Sequence, residues 1–139
     1  MSVLSVDLAY KRYADVGVCA LRSAGEHVEV CPFALSSLGL GRAPTAVGLA
    51  NAVAGIARDL GARLIFLDGP QGWKSPENES PHSRVCECQL ATPGKTGLPG
   101  VTKPAGYAQF TAFSIAVFDH LARLGWARLQ DGVSLSTGR

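Results

Sequence analysis

The sequence has few charged residues, and the two signs nearly balance. Charged residues make up 17% of the 139 residues, and 13 lysines and arginines against 11 aspartates and glutamates give a net charge of +2. This balance excludes the strongly basic composition that would by itself identify a nucleic-acid binder, but it leaves nucleic-acid binding open. No run of 18 apolar residues occurs, so the sequence predicts no transmembrane helix.

The first residues lack the features of a secretory signal peptide. Asp7 interrupts the apolar start, and neither a basic beginning, a long apolar stretch nor a small-residue cleavage site is present. We therefore expect a cytoplasmic protein, in which the four cysteines form no disulfides. Cys86, Cys88 and His82 are potential zinc ligands, but the second close pair of a zinc site is missing, so we expect no zinc there.

Hydrophobic residues make up 47% of the chain, which is enough for the core of one domain spanning residues 1–139. Alternating and continuous apolar runs predict strands, and apolar residues three or four apart predict helices. The predicted order is β-β-β-α-β-α-β, an α/β fold with a mixed sheet covered by helices. The predicted strands are 3–8, 16–21, 27–31 and 63–68 with a short one within 126–139, and the helices are 44–60 and 107–124.

A long loop rich in proline and glycine separates the fourth strand from the second helix. Residues 69–106 contain six of the eight prolines and six of the 16 glycines. Only residues 83–91 have a pattern that predicts a short helix. A loop of this length inside a compact domain is usually functional or disordered.

Two aspartates occur where the sheet is expected to present a ligand site. Asp7 interrupts the apolar run of the first strand, and Asp68 ends that of the fourth. If these strands are parallel neighbours, both carboxylates lie toward the carboxyl ends of the strands, the edge at which open α/β sheets bind ligands. A divalent cation would remove the repulsion between them, and oxygen ligands favour Mg²⁺ or Mn²⁺ over zinc. The alternative interpretation is that each is an ordinary turn residue.

The motifs around the second aspartate resemble a known family. Residues 67–73 (LDGPQGW), followed by 83–87 (SRVCE), are similar to the DUF429 family of uncharacterised predicted nucleases, and the order of elements looks like the ribonuclease-H-like fold. The resemblance covers roughly residues 2–125. It implies that Asp7 and Asp68 are catalytic metal ligands and that Arg84 faces the same cleft.

The end of the sequence departs from that resemblance. Ribonuclease-H-like folds complete their acidic cluster from a final helix, and this chain ends at Arg139, before such a helix. Either the chain is truncated, or a third carboxylate comes from elsewhere, or the site is not catalytic. Glu77 and Glu79, in the long loop, are the available substitutes, although we favour their interpretation as solvated loop charges.

Basic and aromatic residues supply candidate contacts to a nucleic acid. The forked guanidinium of Arg84 suits a phosphate, and Lys11 and Arg12, just after the first strand, would steer a backbone phosphate. The alternative interpretation of all three is ordinary surface charge. Trp73 and Tyr107 bracket the long loop and either stack on a base or, as we favour, close the loop over the sheet.

Three functions are compatible with these patterns. The first is a hydrolase, a divalent-metal-dependent nuclease in which Asp7 and Asp68 hold Mg²⁺ or Mn²⁺ and Arg84 orients the phosphodiester of DNA or RNA. The second is a non-catalytic binding module that forms a homodimer through an exposed sheet face. The third is a nucleotide-binding phosphotransferase, which is disfavoured because residues 9–12 (AYKR) contain no glycine to wrap phosphates.

Overall fold

A computed structural model describes residues 2–38, 40–41, 43–78 and 80–129. The sequence predicts every strand and helix of the main sheet and its cover. The strands are β1 (Ser2–Asp7), β2 (Gly17–Ala24), β3 (His27–Phe33), β4 (Ala62–Asp68), β5 (Lys95–Thr96) and β6 (Thr102–Lys103). The helices are α1 (Ala46–Asp59), α2 (Val85–Gln89) and α3 (Ala108–Arg123).

The main sheet is mixed and has the strand order β3-β2-β1-β4. β1 pairs antiparallel with β2, and β2 pairs antiparallel with β3, as expected for three short, closely spaced strands. β4 returns after α1 and pairs parallel with β1. The predicted strand-helix-strand crossover is therefore confirmed. β1 is an interior strand of the sheet, and β4 is the edge strand beside it.

One face of the sheet packs against α1 and α3 to form the core. Alternate residues of β1 and β2 point to this face, and four of them are almost fully buried: Leu4, Val6, Val18 and Ala20. Both helices contribute an apolar stripe, and α1 begins at Thr45, whose hydroxyl accepts the amide of Gly48 at 3.0 Å. The largest fully buried side chains are those of Leu4, Val6, Leu49, Val53, Val117 and Ser114.

The long loop is folded. It contains α2 and the two-stranded β5–β6 ribbon, in addition to a lysine that is buried within the loop. The Nζ of Lys74 donates to the carbonyls of Ser75 and Asn78, each at 2.8 Å, and its amide donates to the carbonyl of Gly97 at 3.0 Å. The two carbonyls stabilise the buried ammonium by accepting its hydrogen bonds, and the bond to Gly97 joins the two halves of the loop.

The predicted final strand falls largely on residues 130–139, which lie outside the described residues. Residues 126–129, the described part of that segment, contain no strand. No helix within the described ranges is long and apolar enough to cross a membrane.

Candidate functional site

Asp7 and Asp68 lie side by side at one edge of the sheet. They are the last residues of β1 and β4, and the parallel pairing places them directly opposite each other in register. Neighbouring strands are about 4.8 Å apart, so the two carboxylates are within reach of one small ligand. Both residues are exposed. The structure therefore brings together the two aspartates that the sequence singled out.

Two glycines give this edge its shape. A Cβ on Gly69 would lie 2.5 Å from the buried Ser114 hydroxyl and 3.1 Å from Leu8, so only glycine lets the chain turn this close to α3 after Asp68. The Ser114 hydroxyl donates to the carbonyl of Pro70 at 2.9 Å and fixes the same turn. Gly17 lies across from Asp7, and a Cβ there would be 3.3 Å from the Cβ of Asp7. Gly17 thus leaves room beside Asp7, and Gly69 allows the turn that follows Asp68.

A pocket of about 460 Å³ opens at this edge, in the size range of small-molecule sites. The long loop folds back over the strand ends and supplies most of its wall. Arg84, predicted to face the same cleft as the aspartates, does line it. The remaining lining includes the loop residues Cys86, Glu87, Leu90, Thr92, Pro93, Gly94 and Thr96 and the α3 region residues Tyr107, Phe110 and Thr111.

Arg84 is held in place by Glu87. Its guanidinium donates through Nε and Nη2 to one carboxylate oxygen of Glu87, each at 2.9 Å, and the Arg84 amide donates to the other oxygen at 3.0 Å. Arg84 precedes α2 and Glu87 occupies its third position, so the amide contact is one half of a capping box. The side chain of Arg84 is 21% exposed and that of Glu87 is 4% exposed. The pair therefore fixes the direction of the arginine while leaving part of it accessible.

Glu87 also joins α2 to the β5–β6 ribbon. The amide of Thr96 donates to its carboxylate at 2.8 Å, and the Nζ of Lys95 donates to its backbone carbonyl at 2.8 Å. Burial raises the pKa of Glu87, but the hydrogen bonds from the amides of Thr96 and Arg84 and from the guanidinium lower it by more, so its pKa lies below the ordinary value. Glu87 is thus an ionised carboxylate whose lone pairs are used by the fold.

The donor set at the edge fits a hard divalent cation with few protein ligands. Asp7 and Asp68 supply two carboxylates in register, and Mg²⁺ is commonly held by one or two carboxylates while it keeps several waters. Within the ranges described above, no group of three or more histidine, cysteine, aspartate or glutamate side chains could share a metal ion. A third side chain of these four types that could join the two aspartates around one ion is therefore not found among those residues.

Of the other predicted site residues, the three that the structure describes do not line the pocket. Glu77 is exposed in the loop and accepts a hydrogen bond from the hydroxyl of Ser75, which lowers its pKa. Arg12 pairs with Asp15, and that side-chain hydrogen bond raises the pKa of Arg12. Neither of these residues, nor Lys11, whose ammonium lies 5.7 Å from the ring centre of Tyr10, lines the pocket. Glu79 lies outside the described residues.

The sequence does not predict two features of the pocket, the role of Glu87 and the place of Phe110. The role of Glu87 is signalled by its position three residues after Arg84 at a helix start, the spacing of a capping box, but the burial that makes it structural depends on the ribbon folding over it. Phe110 lies within the predicted helix 107–124, but its place at the pocket depends on how α3 meets the strand edge.

The four cysteines are free thiols, and two of them lie in α2. Cys86 lines the pocket and Cys88 is exposed beside it. Ser83 Oγ lies 2.8 Å from Cys88 Sγ, and the hydrogen bonds from the hydroxyls of Ser83 and Ser80 lower the pKa of this thiol. Cys88 is therefore more readily ionised than an ordinary cysteine.

No family model matches the sequence, and no match was found among curated proteins or among solved structures.

Proposed function

We propose that this chain is a divalent-metal-dependent nuclease, a hydrolase that cleaves phosphodiester bonds of a nucleic acid. The observation that carries the proposal is the register of β1 and β4, which puts Asp7 and Asp68 directly opposite each other at the carboxyl ends of parallel strands. Ligands of open α/β sheets bind at this edge. The pocket over the edge also contains Arg84, an anion-binding group beside the two carboxylates.

In this proposal Asp7 and Asp68 hold Mg²⁺ or Mn²⁺. A cation held by two carboxylates supplies an activated water and offsets the charge that develops on a phosphate during hydrolysis. Without a cation, the two aspartates and Glu87 outweigh Arg84 in the pocket and repel a phosphate. The cation is therefore needed for binding of an anionic substrate as well as for its hydrolysis.

Arg84 contacts the phosphate and orients it. A guanidinium carries five N–H donors, and the bonds to Glu87 use Nε and Nη2, so the Nη1 donors are left for a ligand. Because Glu87 fixes the guanidinium from the side away from solvent, Arg84 loses little rotational freedom when it binds. Glu87 itself is a positioning residue in this scheme.

The fold proposal that accompanies this function is a ribonuclease-H-like domain. Three antiparallel strands followed by a helix and a strand that pairs parallel with the first, in the order β3-β2-β1-β4, support it. The aspartate on the first strand and the second aspartate beside it support it as well. Fold alone does not establish activity, so the site residues carry the functional argument.

The test compares cleavage of labelled single-stranded DNA and RNA by the wild type and by Asp7→Asn and Asp68→Asn, with Mg²⁺, with Mn²⁺ and with EDTA. We expect cation-dependent cleavage that each substitution lowers at least 100-fold, the range in which loss of an electrostatic contribution to catalysis falls. Asp59→Asn is the matched control, since Asp59 ends α1 and does not line this pocket. Cleavage that persists in both site variants would contradict the proposal.

The exposed face of the sheet favours a second candidate, self-association. Val28 and Val30 are each 65% exposed and Phe66 is 54% exposed on the face away from α1 and α3. Between the strand ends this face carries no charge, whereas Asp7 and Asp68 alternate onto its margin, so a second copy related by a two-fold axis would cover the uncharged part of the face. The residues that alternate onto it are Val3, Ser5, Asp7, Gly17, Cys19, Leu21, Ser23, Val28, Val30, Pro32, Leu64, Phe66 and Asp68.

Light scattering distinguishes this candidate. A homodimer in the wild type that Val30→Glu converts to a monomer supports it, and Val47→Glu is the matched control because Val47 is an exposed valine of α1. A wild type that is monomeric at millimolar concentration would exclude it.

A further inference from the structure

Two aromatic side chains line the same pocket as the aspartates. Tyr107 immediately precedes α3 and Phe110 lies in its first turn. Residues three apart at a helix start lie on one side of it, so both rings face the pocket from the same direction. Tyr107 is 40% exposed and is therefore accessible to a ligand in the pocket. The pocket therefore combines a cation-binding edge with an accessible aromatic surface.

Both rings are held in position by neighbours. A Cβ on Gly94 would lie 3.2 Å from Cδ1 of Tyr107, so the backbone of the loop packs directly against that ring. The ring centre of Phe110 lies 6.3 Å from that of Tyr10, which follows Asp7 by three residues. The aromatic surface is thus fixed relative to the aspartates by short stretches of chain.

We propose that this pocket binds one unpaired nucleotide, with its base stacked on Tyr107 and its phosphate at Arg84 and the aspartate edge. The inference rests on the proposed function, to which it adds the substrate class: single-stranded nucleic acid or a single-stranded end. A nucleotide joins a flat apolar base to an anionic phosphate, and the pocket offers both complementary surfaces in about 460 Å³. Leu90, 75% exposed at the rim, extends the apolar side.

A paired base does not fit this arrangement. In a duplex both faces of a base are stacked on its neighbours, and a protein reaches a face only by extruding the nucleotide at a cost of a few kcal/mol. Single strands expose those faces without this cost. The pocket therefore favours single-stranded over duplex nucleic acid because only the single strand exposes the faces of its bases. The acidic edge acts on the phosphate backbone, which both forms share.

The experiment measures binding of a ten-nucleotide single-stranded DNA carrying 2-aminopurine, whose fluorescence falls when the base stacks. Ca²⁺ replaces Mg²⁺, and the same strand paired with its complement is the second probe. We expect quenching on binding, and weaker binding of the duplex. Tyr107→Leu, which keeps apolar volume but removes the ring, should weaken single-strand binding by about 5- to 150-fold, the range measured for loss of one stacked aromatic. Tyr107→Phe should stay within about twofold of the wild type because it keeps the ring.

The outcomes separate this inference from the proposed function. Unchanged affinity in Tyr107→Leu, or duplex bound as tightly as single strand, overturns the inference, and metal-dependent cleavage lost in Asp7→Asn would still leave the nuclease proposal standing. Circular dichroism of each variant shows that the fold is intact. Gly94→Ala, whose new methyl would lie 3.2 Å from the same ring, is the second variant that should weaken quenching. Unchanged quenching in both Tyr107→Leu and Gly94→Ala excludes stacking at this position.

Discussion

Replacement of Glu87 tests how the pocket wall is built. The carboxylate is 4% exposed and accepts the amide of Thr96 at 2.8 Å, the amide of Arg84 at 3.0 Å and the guanidinium of Arg84 at 2.9 Å. Hydrogen bonds to a charged group contribute about 1.5–3 kcal/mol each when they are buried. Removal of the carboxylate leaves the Thr96 amide without its acceptor in a buried position, whereas the partly exposed guanidinium is solvated by water.

The magnitude follows from these contacts. In Glu87→Gln the side-chain oxygen of the glutamine still accepts a hydrogen bond, but its nitrogen faces one of the N–H donors that the carboxylate accepted. The free energy of unfolding should therefore fall by about one charged hydrogen bond, or about 2 kcal/mol. In Glu87→Ala all the acceptors are lost, and we expect about 3 kcal/mol, at the low end for breaking a buried ion pair because Arg84 is 21% exposed. Since domains are stable by about 5–15 kcal/mol, both variants should still fold.

Urea denaturation measures the effect. A shift of the midpoint with an unchanged slope reports a loss of stability without a change in the surface exposed on unfolding. Glu77→Gln is the matched control, because Glu77 is exposed and its loss should change the free energy of unfolding by less than about 0.5 kcal/mol. If Glu87→Gln and Glu87→Ala both behave like this control, Glu87 does not organise the pocket and the reasoning fails.

Three further outcomes are expected. The pKa of Glu87 lies below its ordinary 4.5 in the folded chain, so the unfolded chain takes up a proton at a higher pH than the folded chain does. As the pH falls from above 4.5, the wild type should therefore lose more free energy of unfolding than Glu87→Gln does. Parallel pH profiles of the two proteins would refute this. Gly69→Ala should lower the free energy of unfolding by about 1–3 kcal/mol, because the new methyl meets a buried serine hydroxyl of α3, whereas Gly72→Ala, with open space around it, should be near neutral. Iodoacetamide should alkylate Cys88 more slowly in Ser83→Ala than in the wild type at neutral pH, because the serine hydroxyl lowers the pKa of the thiol. Mass spectrometry measures the rate, and equal rates would show that this hydrogen bond does not activate the thiol.

The elements of the sheet and its cover could be predicted from the sequence because their patterns are local. Alternation identifies β3, a continuous apolar run identifies β4, and the stripes of α1 and α3 have helical spacing. The juxtaposition of Asp7 and Asp68 followed from the same reasoning, since a strand, a helix and a strand form a parallel pair whose carboxyl ends coincide. That step needed only the order of elements.

The wall of the pocket could not be predicted, because it depends on contacts between distant segments. Glu87 becomes structural only when the β5–β6 ribbon donates to it from nine residues away, and these two strands are two residues long, too short for a periodic signal. The buried ammonium of Lys74 is another example, since its acceptors are backbone carbonyls that no sequence pattern marks. Proline and glycine content identified the segment as a loop but gave no information on its internal bonds.

The central claim is that two carboxylates from neighbouring strands hold one cation. The most direct test is a crystal of the wild-type protein soaked in Mn²⁺, with the ion located by its anomalous scattering. We expect a single site at the carboxyl ends of β1 and β4, with an oxygen of Asp7 and an oxygen of Asp68 both within about 2.0–2.6 Å of the ion. Manganese bound elsewhere, or bound by only one of the two aspartates, would contradict it.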